Sequence, residues 1–200
     1  MKIDIPTLKA VIAKKKYKWF EDQPNIIAIR SKLQVPDVFN DPFCIVYKEG
    51  GVEKLFSAIV TTEPGTTYQK KLLNEKGVWV MDPAQMIDAY SPGFHQSKPD
   101  HRCLRSTGKI FGHREDDKDG VLFNDTNAVS AWADGNSIGA NIHGAYHKDN
   151  IDLTKTVGPW SAGCQVHERW SKKEQMMDIV EKLYPKLKHF TYTLLLESDF

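Results

Sequence analysis

The chain has 200 residues, 40% of them hydrophobic and 10% aromatic, which is enough to bury one core. Lys and Arg number 27 against 26 Asp and Glu, a net charge of +1, so there is no global positive field to gather nucleic acid or anionic lipid. No stretch approaches the roughly 18 apolar residues that span a bilayer as a helix. The first residues place Lys14-Lys15-Lys16 after a short apolar run. An export signal would carry its charge before a longer one, so a start near Met1 and synthesis in the cytoplasm are expected. Cys44, Cys103 and Cys164 cannot all pair within one chain, and three reduced thiols are the expectation.

Taken in chain order, Leu8, Val11 and Ile12 form a short helical stripe behind Pro6. Residues 25–29 read as a strand. Residues 43–47 and 54–61 flank Glu49-Gly50-Gly51 and read as a hairpin. Residues 78–81 and 104–112 suggest further strands, and 138–143 one broken at Gly139. Gly, Pro, Asp, Asn and Ser dominate about 91–137, so long loops are expected there. Ser171 and Glu174 have capping-box spacing. Met176, Ile179, Val180 and Leu183 follow at helical spacing, and Pro185 ends the run. Residues 190–196 are apolar on both faces, as in a central strand. These elements predict one domain over 1–200, mostly β with a few peripheral helices, an α+β sandwich or barrel. Residues 1–40 would be an N-terminal appendage packed on it, and 57–168 the catalytic core.

The chemistry concentrates in Asn141-Ile142-His143-Gly144 and Trp160-Ser161-Ala162-Gly163-Cys164-Gln165-Val166. A cysteine nucleophile needs a base, usually His, and backbone N–H groups aimed at the developing oxyanion. Small residues before Cys164 permit such a turn, and Gly163 can take a positive φ. His143 precedes Cys164 by a spacer long enough to join two neighbouring strands. Ser161 lacks the Gly-x-Ser-x-Gly setting of a nucleophile, and a hydrogen bond fixing the turn is its expected role. Trp160 either walls a groove or fills core. Asn141 either orients the imidazole or satisfies a loop. Arg114, beside His113, can grip a carboxylate bidentately or stand in solvent. Cys44 belongs in the core. Glu115, Asp117, Asp119 and Gly120 echo a calcium loop whose closing acid is replaced by Thr126, so a solvated acidic turn is expected. His95, Asp100, His101, His113 and His143 could supply zinc ligands but form no His-Glu-x-x-His unit.

Ile142-His143-Gly144 followed by Ser161-Ala162-Gly163-Cys164 resembles the L,D-transpeptidase catalytic domain, over roughly residues 57–168. Trp160-Ser161-Ala162-Gly163-Cys164-Gln165, with Thr61-Thr62-Glu63-Pro64-Gly65 upstream, is similar to a divergent branch found in phage and bacterial genomes. The resemblance implies a β-rich fold, Cys164 as nucleophile, His143 as base, and peptidoglycan stem peptides as the partner. No metal or other cofactor is implied, nor nucleic acid or membrane insertion. Gly163 and Cys164 N–H groups are the expected oxyanion donors, and Trp160, Arg114, Asn141 and Gln165 the expected substrate contacts. Ala162 stands where the family has an imidazole, and Gln165-Val166 where it has an apolar residue and Arg or Asn. Transfer to an amine and hydrolysis both remain open. The expected place of action is the cell wall or periplasm after release, or a virion. The alternatives are a zinc-dependent peptidoglycan peptidase and a non-catalytic phage structural or wall-binding domain of the same fold.

Overall fold

The computed structural model describes residues 1–33, 35, 37–146 and 151–200. In chain order the strands are β1 (Asn25–Arg30), β2 (Asp41–Glu49), β3 (Val52–Thr61), β4 (Val78–Met81), β5 (Ala84–Phe94), β6 (Arg102–Ser106), β7 (Lys109–Glu115), β8 (Ala131–Asp134), β9 (Ile142–Gly144), β10 (Gln165–His167) and β11 (Phe190–Leu196). Helices α1 (Ile5–Lys14), α2 (Thr66–Lys70), α3 (Gly135–Ile138) and α4 (Trp170–Asp178) lie among them. Eight strands close into a barrel in the order β1-β11-β5-β6-β9-β10-β3-β2, and β4-β7-β8 form a separate small sheet. The fold is mostly β with a few helices.

The β2–β3 hairpin pairs Glu49 with Val52 across Gly50 and Gly51. Both glycines have positive φ, +60° and +80°, which a two-residue turn of this hand requires. β11 is central, parallel to β1 and antiparallel to β5. Its residues are buried on both faces because each face meets a different core. Tyr192 and Leu194 belong to the larger cluster with Ile26, Ala28, Phe43 and Ile45. Leu195 belongs to a second cluster beneath α1, with Leu8, Val11, Ile12, Ile27, Ile29, Cys44 and Val46. Two-sided burial explains why β1 reads as a continuous apolar run rather than an alternating one. Cys44 is core, as expected.

Three expectations need correction. β1 is a barrel stave, paired on both edges, so residues 1–40 are no appendage; the barrel draws on β1, β2 and β11, outside 57–168. The stretch 91–137 contains the end of β5 and all of β6, β7 and β8, and its long loop is confined to residues 116–130. The Ser171–Glu174 capping box does not form. Ser171 lies inside α4, and its N–H donates to Asp152 Oδ1 at 2.7 Å. Glu174 pairs instead with Arg102 and Lys173.

A buried guanidinium joins barrel and small sheet. Arg30, 2% exposed, donates from Nε to Thr62 Oγ1 at 2.9 Å and from Nη2 to the carbonyls of Thr62 and Met81, each at 2.8 Å. Thr62 in turn donates its N–H and Oγ1–H to Asp41 Oδ2 at 2.7 and 2.8 Å.

Candidate active site

Strands β9 and β10 are parallel neighbours, with Ile142 opposite Gln165 and His143 opposite Val166. Side chains alternate along a strand. Ile142 and Gln165 therefore share one face, and His143 and Val166 the other. Continuing that alternation into the preceding turn puts Cys164 on the face of His143. Both line one cavity of about 420 Å³, together with Trp79, His95, Lys98, His101, Tyr146 and Trp160.

The turn before Cys164 is held from three sides. Ser161 is fully buried; its hydroxyl donates to the Cys164 carbonyl at 2.7 Å and accepts from Gly163 N–H at 3.2 Å. Gly163 has φ +135°, and a Cβ there would lie 2.7 Å from the Trp79 carbonyl oxygen, so only glycine fits. Gly65 N–H donates to the Ser161 carbonyl at 2.9 Å. A Cβ on Gly65 would sit 2.0 Å from the Gly158 carbonyl oxygen. The Thr-Thr-x-Pro-Gly segment therefore packs its glycine directly under the cysteine loop. One expectation changes here. Gly163 N–H is taken by Ser161 Oγ at 3.2 Å, so of the two expected donors it is already committed.

His143 is 1% exposed, and its tautomer follows from its partners. Nδ1 is 2.8 Å from the Gly144 carbonyl oxygen, which can only accept, so Nδ1 carries the proton. Nε2 is then a bare lone pair, buried and without a partner among the described residues. His101 Nε2 donates to the same Gly144 oxygen at 3.0 Å. Burial holds His143 well below the usual imidazole range and pushes the Cys164 thiol up to about 11. The resting pair is therefore neutral thiol and neutral imidazole. No hydrogen bond joins them at rest: Cys164 Sγ donates to the Gly139 carbonyl oxygen at 3.4 Å. The sulfur takes the Gly139 carbonyl as its acceptor, and His143 Nε2 remains a buried acceptor without a partner among the described residues.

The other expected contacts divide. Trp160 lines the cavity. Asn141 does not bond His143. Its Oδ1 accepts from Ser106 N–H at 3.0 Å, and its Nδ2 faces His95 Nδ1 at 3.4 Å. Gln165 is fully buried, with Oε1 accepting from Tyr192 OH at 3.0 Å; strand alternation turns it away from the cavity. Arg114 lines a neighbouring cleft, where Nη1 donates to the Gly77 carbonyl at 2.6 Å. Trp79 and Ile138 form the wall between the two. His95 and His101 are site residues that the motifs did not mark. The His95 ring stacks on His143 at 4.0 Å, and His101 meets His143 edge-on at 5.5 Å.

Among the described residues, no cluster of three or more His, Cys, Asp or Glu side chains is arranged to hold a metal ion. The acidic turn closes on itself, with Asp119 Oδ1 accepting from Val121 N–H at 2.7 Å. No family model, curated protein or solved structure matches the chain.

Proposed function

We propose that this chain is a cysteine-dependent enzyme of the L,D-transpeptidase type, acting on amide bonds of peptidoglycan stem peptides through a Cys164 acyl-enzyme. The observation that supports it most is His143 itself: Nδ1–H fixed by the Gly144 carbonyl, Nε2 unpartnered, in one cavity with Cys164. In the proposed reaction the Cys164 sulfur attacks the carbonyl carbon while its proton passes to His143 Nε2. The carbonyl π pair moves onto oxygen. That oxyanion collapses, the C–N bond breaks with its pair on nitrogen, and the amine leaves with the proton from His143. A second stem's amine or water then attacks the thioester, its proton going back through His143 to the sulfur. The site of action would be the wall polymer, reached after release or as part of a virion.

Mass spectrometry of muropeptides incubated with the protein tests this. The wild-type chain is expected to produce new cross-linked or trimmed species, in chelator as well as without it, and Cys164→Ala none. Identical profiles for wild type and Cys164→Ala would overturn the reading.

A further inference from the structure

Resting on that cysteine acyl-transfer reading, we infer that His95 is a further catalytic residue, donating a hydrogen bond from Nε2–H to the oxyanion formed at Cys164. Several independent features converge on it.

The first is a shortfall. An oxyanion in acyl transfer is held by preorganised donors, commonly two or more. On the cysteine turn Gly163 N–H is committed to Ser161 Oγ at 3.2 Å, which leaves Cys164 N–H. The Ala162 side chain is a methyl group and offers no donor. A second donor must reach the cavity from elsewhere in the fold.

The second is placement. His95 enters from the end of β5, lines the cavity that Cys164 and His143 line, and stacks on the His143 ring with 4.0 Å between centroids. The imidazole that receives the thiol proton and the imidazole offered to the oxyanion are thus in van der Waals contact.

The third is the tautomer. Asn141 Oδ1 accepts from Ser106 N–H at 3.0 Å, which fixes the amide and presents Nδ2–H to His95 Nδ1 at 3.4 Å. Nδ1 of His95 is therefore an acceptor, and its proton sits on Nε2. Nε2 has no partner among the described residues and is not one of the buried unsatisfied atoms, so it opens to the cavity. Asn141 is also tied to the cysteine strand, its carbonyl accepting from Gln165 N–H at 2.9 Å. Burial brings His95 down to about 4, so the ring stays neutral near pH 7 and keeps this arrangement. His95 transfers no proton in the step. It binds the carbonyl oxygen as the π pair moves there and releases it when the C–N bond breaks.

Two reactions of Cys164 separate this role from mere support of His143. Acylation by p-nitrophenyl acetate passes through an oxyanion; alkylation by iodoacetamide does not. Both need the activated sulfur, with Cys164→Ala as the blank. In His95→Phe, which keeps a stacked ring but no donor, acylation is expected to fall about 100-fold while alkylation stays within about twofold. His95→Gln, which restores an N–H, is expected to recover part of the acylation. The inference is overturned if acylation by His95→Phe stays within about twofold of wild type, or if both reactions fall in proportion in both variants. The ester carries no stem peptide, so failure of the stem-peptide reading shows in the muropeptides and leaves this ratio intact.

Discussion

At the scale of single residues, the cysteine turn is held by one hydroxyl and one glycine. Ser161 Oγ bridges Gly163 N–H and the Cys164 carbonyl, and Gly163 sits at φ +135° with Trp79 against it. Gly163→Ala must move the backbone against Trp79 or abandon that φ, at a cost of about 1–3 kcal/mol. Denaturant titration should show that loss, together with slower alkylation of Cys164. His143→Ala tests the base. Alkylation near neutral pH is expected to drop at least tenfold, with the deficit closing only as pH approaches about 11, where burial places the thiol. Coincident rate–pH curves would remove His143 as the activating group. The sharing of one cavity by Cys164 and His143 and the turn-fixing hydrogen bonds of Ser161 were legible in the sequence, because a Cys turn and a His-Gly pair are local patterns. The approach of His95 and His101 to His143 was not, since in the sequence they stand out only as possible zinc ligands. Their meeting with His143 depends on β5, β6 and β9 lying side by side, and strand order leaves no mark in a local window. Gln165 was misplaced for a local reason: it neighbours Cys164 in sequence, and alternation sends it to the opposite face.

Among the elements, α4 carries the clearest test. Its first turn is capped from a distant segment: Asp152 Oδ1 accepts from Ser171 N–H, and the Asp152 carbonyl accepts from Trp170 N–H at 2.8 Å. Asp152→Ala should therefore cost about 1 kcal/mol, and Ser171→Ala much less. Chemical denaturation of the two variants decides between this long-range cap and the local capping box, which would reverse the order. The cap matters to the site because α4 lies behind it. Trp170 is 5.0 Å from the His101 ring, and Lys173 sits over Trp170 at 3.5 Å. The hairpin, the central last strand and the helical stripes were legible, since each has a strong periodicity or a turn signal inside one window. Much of the β5–β8 region reads as loop because Pro92, Gly93 and Gly112 lie inside its strands and Gly108 between β6 and β7. Those glycines answer to packing: a Cβ on Gly112 would lie 2.3 Å from the Val80 carbonyl oxygen of the neighbouring strand. Closeness to a neighbour looks, in a sequence, like a turn.

For the molecule as a whole, positive and negative residues nearly cancel, yet buried charge gathers at the seam between barrel and small sheet. Arg30 holds both bodies there, with Asp41 and Glu63 beside it. On the small-sheet side, His113 Nδ1 donates to Asp82 Oδ2 at 2.8 Å and Nε2 meets Glu115 Oε1 at 3.2 Å. Burial, reinforced by Asp41 and Glu115, pushes Glu63 up to about 7 against the pull of Arg30. Hydrogen bonds to Asp82 and Glu115 push His113 up to about 9. Both groups bind protons more tightly in the folded chain than in the unfolded one, so both make stability fall as pH rises. The sign holds for each separately. For Glu63 the decline begins near its unfolded value, about 4.3, and is complete above about 7. The His113 contribution is whole below its unfolded value, about 6.5, and is lost as pH passes through about 9. At about 1.4 kcal/mol per tenfold change in proton affinity, His113 accounts for at most about 3.5 kcal/mol. Below about 6.5, His95, His101 and His167, held down by burial to about 4, 4 and 3, and His143, held well below the usual imidazole range, act with the opposite sign and make stability rise with pH. Thermal melting from pH 7 to 8.5 isolates His113 and should show a declining midpoint. His113→Gln is expected to flatten that decline, and Glu63→Gln to leave it in place while steepening the rise between pH 5 and 6.5. A wild-type midpoint that is level from pH 7 to 8.5, or a decline there that survives His113→Gln, would show that the pH response lies elsewhere than at the seam.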